Sequence, residues 1–298
     1  MGSWDRRVKV ALLSIISNSA LITMKVIAGI LSGSVSIISE AIHSGMDLVA
    51  SIIAFFSVRS SSQPADREHP YGHGKIENIS GLAEGLLIFI AAGLIIKESI
   101  EKIYAPSEIK QATVAIIVMV CASIVNLLVS RKLYKVAKEE DSMALEADAL
   151  HLKTDVYTSA GVAVGLVLIK VTVLLILDPI VAILVALLII KEAWHLCKTA
   201  FDNLLDAKLS DEVEAQIAEI IRKHSDRIKG FHKLKTRKSG NMKHIDFHIV
   251  VDPDMTAGEV HDIIGSLKKD MWEEIGNTRV NIHIDPYTEP QLDEKAFV

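Results

Sequence analysis

Glu40-Ala-Ile-His43-Ser-Gly-Met-Asp47 and Asp148-Ala-Leu-His151-Leu-Lys-Thr-Asp155 repeat one pattern, acid-Ala-x-His-x-x-x-Asp, inside two long apolar stretches. A His and an Asp four residues apart share one face of a helix. Outward from these two, apolar segments run over roughly 9–31, 35–58, 77–100, 111–133, 143–171 and 177–200. Each is near the ~20 residues that span a bilayer. If the segments alternate in direction, the second and fifth run antiparallel, and in each the His lies about nine residues from the start and the Asp about thirteen. At ~1.5 Å per residue that is about 14–20 Å into a ~30 Å core, so His43, Asp47, His151 and Asp155 are predicted to meet at one depth. Ionisable groups so deep are costly and usually functional. A structural hydrogen bond explains one such pair. Its duplication at matched depth points to metal, because two imidazoles and two carboxylates satisfy a tetrahedral Zn²⁺. Glu40 and Asp148, one turn earlier, either orient these ligands from behind, face water, or pair with a group such as Lys153. Asn18 lines the same cavity or makes a structural hydrogen bond.

The composition agrees with a membrane class: half of the 298 residues are hydrophobic and the mean hydropathy is +0.35. A net charge of −5 gives no case for nucleic acid. Cys121 and Cys197 are the two cysteines, far apart and without CxxC spacing, which excludes a disulfide framework and a cysteine-rich zinc site. The amino terminus leads straight into an apolar stretch too long for the core of a signal peptide.

Lys and Arg near the span ends set the orientation. They gather before the first span (Arg6, Arg7, Lys9), between spans two and three (Arg59, Arg67, Lys75), between four and five (Arg131, Lys132, Lys135, Lys138) and at the end of six (Lys191, Lys198). Both termini are therefore expected on the cytoplasmic side. After Asp206 the composition turns polar. The expected domains are a transmembrane part at 1–203, a soluble part at 204–290 and a tail at 291–298. Helical spacing over 210–224 and 256–274 and alternation over 230–238, 243–251 and 278–285 predict an αββαβ order, with a hairpin at Ser239-Gly240-Asn241. That order suggests a two-layer α+β domain.

Two further groups carry ligand chemistry. Asp66, His69 and His73 lie in the loop after segment two, where Gly72 and Gly74 allow a tight turn around an ion. The two histidines are alternatively plain solvated loop residues. The soluble part holds His224, His232, His244, His248, His261 and His283. His244, Asp246 and His248 share a strand face, as do His283 and Asp285; the spacing alone suggests metal binding without fixing the ligands.

Together these features resemble the cation diffusion facilitator family of metal–proton antiporters. The six spans, the loop His69-Pro-Tyr-Gly-His73-Gly-Lys75-Ile-Glu77, the stretch Leu204-Leu-Asp206-Ala-Lys-Leu-Ser-Asp-Glu212 and the αββαβ part carry the resemblance over nearly the whole chain. It implies a six-helix transmembrane bundle followed by a ferredoxin-like, metallochaperone-like cytoplasmic domain, in a homodimer. It implies a transport site of His43, Asp47, His151 and Asp155, and a loop site of Asp66, His69 and His73. A cytoplasmic binuclear site would use His232, His248, His261, His283 and Asp285, and a charge interlock would join Lys75 to Asp206 and hold the dimer. Some bacterial members have Asp where His43 stands, so two His with two Asp resemble the zinc-transporting branches. Imidazole also suits iron, cobalt and nickel, and carboxylate-rich sites suit manganese; cadmium is open too.

The expectation is then a bacterial or archaeal inner-membrane protein that exports divalent cations, Zn²⁺ first, in exchange for protons. It is not an enzyme and needs no organic cofactor. The competing reading is a membrane scaffold that senses metal without moving it. A membrane enzyme would need a nucleophile and a substrate-sized polar pocket, and neither shows in the sequence.

Overall fold

The computed structural model describes residues 5–32, 35–104, 113–172 and 176–288; the expected tail at 291–298 lies outside them. Two compact units result, Met1–Phe201 and Asp202–Val298.

Among the described residues the first unit holds six long helices: α1 (Arg6–Ser32), α2 (Val35–Ser61), α3 (Ile76–Tyr104), α4 (Thr113–Glu139), α5 (Met143–Thr172) and α6 (Leu177–Leu204). Their sequences are rich in Ala, Leu, Ile and Val, and the stretches between them are short. Among the described residues, Arg6–Ala28, Ile76–Glu101 and Pro179–Leu204 are long and apolar enough to cross a membrane. The 27 residues of α2 and of α4 and the 30 of α5 correspond to about 40–45 Å at ~1.5 Å per residue.

Packing follows residue size. Val8, Ala11, Phe55, Val58, Leu133, Ala144, Ala149 and Leu152 form one buried cluster, shared by α1, α2, α4 and α5. Ile88 and Ala92 of α3 meet Ala186, Ile189 and Ala193 of α6 in another, against which Leu150 and Tyr157 of α5 pack. α5 thus contributes to both. Small residues permit this closeness: a Cβ on Gly85 would collide with the Cys197 sulfur, and one on Gly161 would lie 2.8 Å from Cγ2 of Val185. Gly161→Val is therefore expected to wedge α5 from α6 and cost about 1–3 kcal/mol, as overpacking does. The melting temperature of the detergent-purified protein reads this, and an unchanged value would refute the contact.

Near the amino end of α1 a buried charge is matched. Arg7 donates to Glu77 Oε1 at 2.9 Å, and Ser61 donates to the same oxygen at 2.6 Å. Ser142, just before α5, donates to the other Glu77 oxygen. One fully buried carboxylate thereby ties together α1, α2, α3 and the turn into α5. Three hydrogen bonds to this carboxylate compensate a charge that would otherwise be costly to bury.

The second unit runs α7 (Asp211–Arg222), β1 (Gly230–Ser239), β2 (Met242–Val251), α8 (Ala257–Ile275) and β3 (Thr278–Pro286). The order of elements is the αββαβ read from the alternation. Three acids open α7, where they complement the helix dipole. Thr256 and Glu259 form a capping box that starts α8. Gly240 turns the β1–β2 hairpin at φ 61°. The sheet order is β1-β2-β3, antiparallel then parallel, so the sheet is small and mixed. Phe231, Ile245, Phe247 and Ile249 point to the side covered by Ile217, Ile220, Ile221, Ile263, Leu267 and Met271 of the helices. The alternate strand residues occupy the opposite face.

Candidate functional site

In the first unit the structure joins the two copies of the repeated pattern. His151 Nε2 of α5 lies 3.1 Å from Asp47 Oδ1 of α2, and Asp47 is 4% exposed. Asp155, one turn beyond His151, accepts from Asn126 Nδ2 of α4 at 3.1 Å. A cavity of about 620 Å³ adjoins this contact, lined by Lys25, Asp47, Asn126, His151, Thr154 and Asp155 among others. His43 and Glu40 are placed on α2, but their side chains lie outside the described residues.

Asp148 is not solvated and its hydrogen bond is not to Lys153. It is fully buried and accepts from Ser51 Oγ at 2.9 Å. Ser51 also exchanges a 2.9 Å hydrogen bond with Ser14 and accepts from Asn18 at 2.8 Å. Asn18 is thus structural, tying α1 to α2. Lys153 lies instead over the Tyr157 ring, 5.2 Å from its centroid.

Three polar residues here escaped the sequence reading. Lys25 of α1 is buried on the cavity wall and donates to Ser44 at 2.6 Å. Asn126 holds Asp155. Glu84 of α3 is fully buried and accepts from Ser80 at 3.0 Å. Each lies within an apolar span and repeats no pattern; the cost of burying it was the available signal.

The loop group is gathered. One ligand atom each from Asp66, His69 and His73 lie within 4.8 Å of one another. The Asp66 oxygens are 3.5 Å from His69 Nδ1 and from His73 Nε2. Asp66 also accepts the backbone amides of Glu68 and His69 at 2.9 and 2.6 Å. The His69 amide first, then the Glu68 amide and the charges of His73 and His69, hold this carboxyl below its usual range despite slight desolvation. Gly72, at φ +85°, makes the turn between the histidines.

On the open face of the sheet the register does the assembling. His232, His248 and His283 are direct cross-strand partners on β1, β2 and β3. Asp285 Oδ2 lies 3.0 Å from both His232 Nε2 and His248 Nδ1, and Oδ1 lies 3.4 Å from His283 Nε2. The His248 contact first, with His283 and His232 adding, keeps Asp285 below the ordinary carboxylate range against a small burial effect. Three imidazoles around one carboxylate form a donor set that fits zinc or a similar transition metal. His261 is not brought to this cluster: it is exposed on α8, part of the helix layer over the other face. Lys75 and Asp206 belong to different units, and Asp206 accepts from Arg237 at 3.3 Å.

His244, on the same strand as His248, is buried rather than ligating. Burial first, then the guanidiniums of Arg237 and Arg279, hold its imidazole below the ordinary value, outweighing Asp246 and Asp206. The fold prefers it neutral. Its contribution is therefore intact above about pH 6.5 and is lost as pH falls through the lowered value. The melting temperature of the cytoplasmic part is expected to fall on acidification from about pH 7 to about pH 5, less steeply in His244→Gln. Equal slopes for the two proteins would refute this assignment.

Comparison with known proteins gives two family matches. The description "cation efflux transmembrane domain" fits residues 11–205, and ZT_dimer, the "cation efflux protein, cytoplasmic domain", fits residues 209–287. An uncharacterized transporter of Synechocystis is 34% identical over 281 residues, covering 94% of this chain and 91% of its own. The cation-efflux pump FieF of Shewanella oneidensis is 32% identical over 273 residues, 92% of each chain. The manganese efflux system protein MneP of Bacillus subtilis is 28% identical over 288 residues, covering 94% and 96% respectively.

Proposed function

The chain belongs to the cation efflux, or cation diffusion facilitator, family, and from that premise we propose that it exports Zn²⁺ from the cytoplasm in exchange for protons. Members of the family are membrane transporters of metal cations, not enzymes, and its cytoplasmic module marks a homodimer. The finer reading adds six membrane spans, both termini in the cytoplasm of a bacterial or archaeal cell, and a ferredoxin-like cytoplasmic domain.

The observation that carries the proposal is the 3.1 Å contact between His151 and Asp47 beside the cavity that Asp155 also lines. It supports a transport site made by two helices, completed by His43 of α2. Asp155 is presented by Asn126, and Asp47 and His151 stand ready to exchange their mutual contact for an ion. Histidine exchanges a proton for a metal near neutral pH, which supplies the coupling chemistry. The cavity opens to the cytoplasm in one state and outward in the other, where protons release the ion. Asp66, His69 and His73 serve as a loop site. His232, His248, His283 and Asp285 serve as a cytoplasmic site whose occupation tightens the dimer, with His261 apart from them and a Lys75–Asp206 interlock at the junction.

Zinc is favoured over the manganese in MneP's name because imidazole supplies half of the proposed donors. Iron, cobalt, nickel and cadmium share that preference, so competition decides. In proteoliposomes with an opposing proton gradient, Zn²⁺ flux is expected, abolished by a protonophore and least inhibited by Mn²⁺. Tight zinc binding with no flux would replace the exporter by a metal sensor.

A further inference from the structure

We propose that Lys25 sets how tightly the transport site holds its ion: its positive charge on the cavity wall weakens the binding of a dication enough for the ion to leave. The inference rests on the transport-site reading above and adds a residue of α1 that ligates nothing.

An ammonium inside an apolar span is costly and marks function. On α1, Ser14, Asn18 and Lys25 follow one another at i, i+4 and i+11 and share a helix face. That face meets α2. Ser14 and Ser51 share a 2.9 Å hydrogen bond, and Asn18 donates to Ser51 at 2.8 Å and to the Asp47 carbonyl at 3.5 Å. Lys25 Nζ donates to Ser44 Oγ at 2.6 Å. Ser44 and Asp47, three residues apart on α2, are neighbours on one face. The ammonium is therefore anchored beside the helix turn that presents the Asp47 carboxylate. Lys25 is 7% exposed. It lines the cavity with Asp47, His151 and Asp155, and among the described residues it is the one Lys or Arg that does so.

Asp47 and Asp155 bring two negative charges to the site, and Lys25 returns one positive charge. Without Lys25 the two carboxylates would neutralise a bound dication; with it the loaded site carries one excess positive charge. In a low-dielectric interior that repulsion acts over several ångströms without contact. An ammonium has no lone pair to offer a metal, so Lys25 lowers affinity without joining the ligands. Two carboxylates and two imidazoles form a closed four-ligand shell of the kind that structural zinc sites use to keep their ion. An exporter has to load its ion and let it go, the balance that also governs conduction through channels. The charge stands on the exit side. Ser44 precedes Asp47 on α2, and the cavity follows α3 from Leu87 to Glu98 and Ser99, both toward the outer side in the orientation proposed above.

The test separates KM from kcat. Initial rates of zinc transport by the full-length protein in proteoliposomes are measured over a range of zinc concentrations. Lys25→Gln keeps a donor for Ser44 but loses the charge. It is expected to lower the KM for zinc about tenfold and kcat by about the same factor, the pattern of a removed ground-state destabilisation. Lys25→Arg keeps the charge and is expected to hold both constants within about threefold of wild type. An unchanged or raised KM in Lys25→Gln overturns the proposal, because a merely structural lysine would cost rate without tightening the ion. Failure of Lys25→Arg to keep the low affinity overturns it as well. Should Lys25→Gln not accumulate, Lys25→Met carries the same expected fall in KM, and an unchanged value overturns the proposal equally. The transport-site reading fails separately, through wild-type protein that moves no zinc or an Asp155→Ala protein that moves it normally.

Discussion

Replacing Asp155 by alanine is expected to abolish proton-driven zinc flux in proteoliposomes, lowering the initial rate by more than about a hundredfold, because mutating even outer-shell partners of metal ligands costs 10–100-fold. Asp47→Ala is expected to act as strongly. Asp47 is the carboxylate that His151 contacts at 3.1 Å, and Asp155 is held by Asn126 at 3.1 Å on the same cavity wall. Each deletion removes one anionic donor from a site that must balance a dication in a low-dielectric interior. Asn126→Ala leaves the donor but frees its orientation, so a partial loss within the 10–100-fold range is expected. Flux of Asp155→Ala within a few-fold of wild type would remove the four-ligand site. Circular dichroism and monodisperse elution establish that the variants are folded, since neither carboxylate belongs to the apolar packing clusters.

The second large effect concerns the cytoplasmic sheet. Asp285 contacts His232, His248 and His283 at 3.0, 3.0 and 3.4 Å. Asp285→Ala removes the carboxylate around which all three rings are arranged and is expected to weaken zinc binding there about a hundredfold or more. The consequence is readable as stability. Zinc at about a hundred times the wild-type dissociation constant stabilises the fold by ~2.7 kcal/mol, whereas a hundredfold weaker site gains only ~0.4 kcal/mol. Zinc-dependent melting of the full chain, followed by the amide signal of the sheet, separates the two. An equal zinc-induced shift in both proteins would assign the ligands elsewhere. His261→Ala, in the helix layer, is expected to leave the shift unchanged within one protomer.

What could be read beforehand followed from periodicity. The αββαβ order was legible because β2 and β3 alternate over whole strands and α7 and α8 carry start signals. The His–Asp pairs were legible because four-residue spacing is a property of a single helix. Relations between elements were not. On β2, His244, Asp246 and His248 share a face by sequence, yet only His248 joins the cluster, because the register pairs it with His232 and His283 while His244 faces Arg237. Glu84 and Asn126 were missed for a related reason. A lone acid or amide in an apolar span repeats nothing, and its partners come from other helices. Asp148 was visible as part of the pattern, but its bond to Ser51 of α2 depends on a helix crossing that spacing does not contain.

The parallel pairing of β3 with β2 has a consequence for how this gene can change length. His283 and Asp285 reach the open face only because β3 starts in phase after the Gly276 turn, with Thr278 opposite Lys243. Strand side chains alternate, so a single-codon insertion or deletion at Gly276-Asn277 that slips the strand by one residue would turn both toward the helix layer and bring Val280 and Ile282 to water. Two codons would restore the facing but misalign the row of rings. Homologous sequences should therefore drift freely in composition at this turn while keeping its length, and indels should gather at segments that phase no ligand, such as 252–255 before α8.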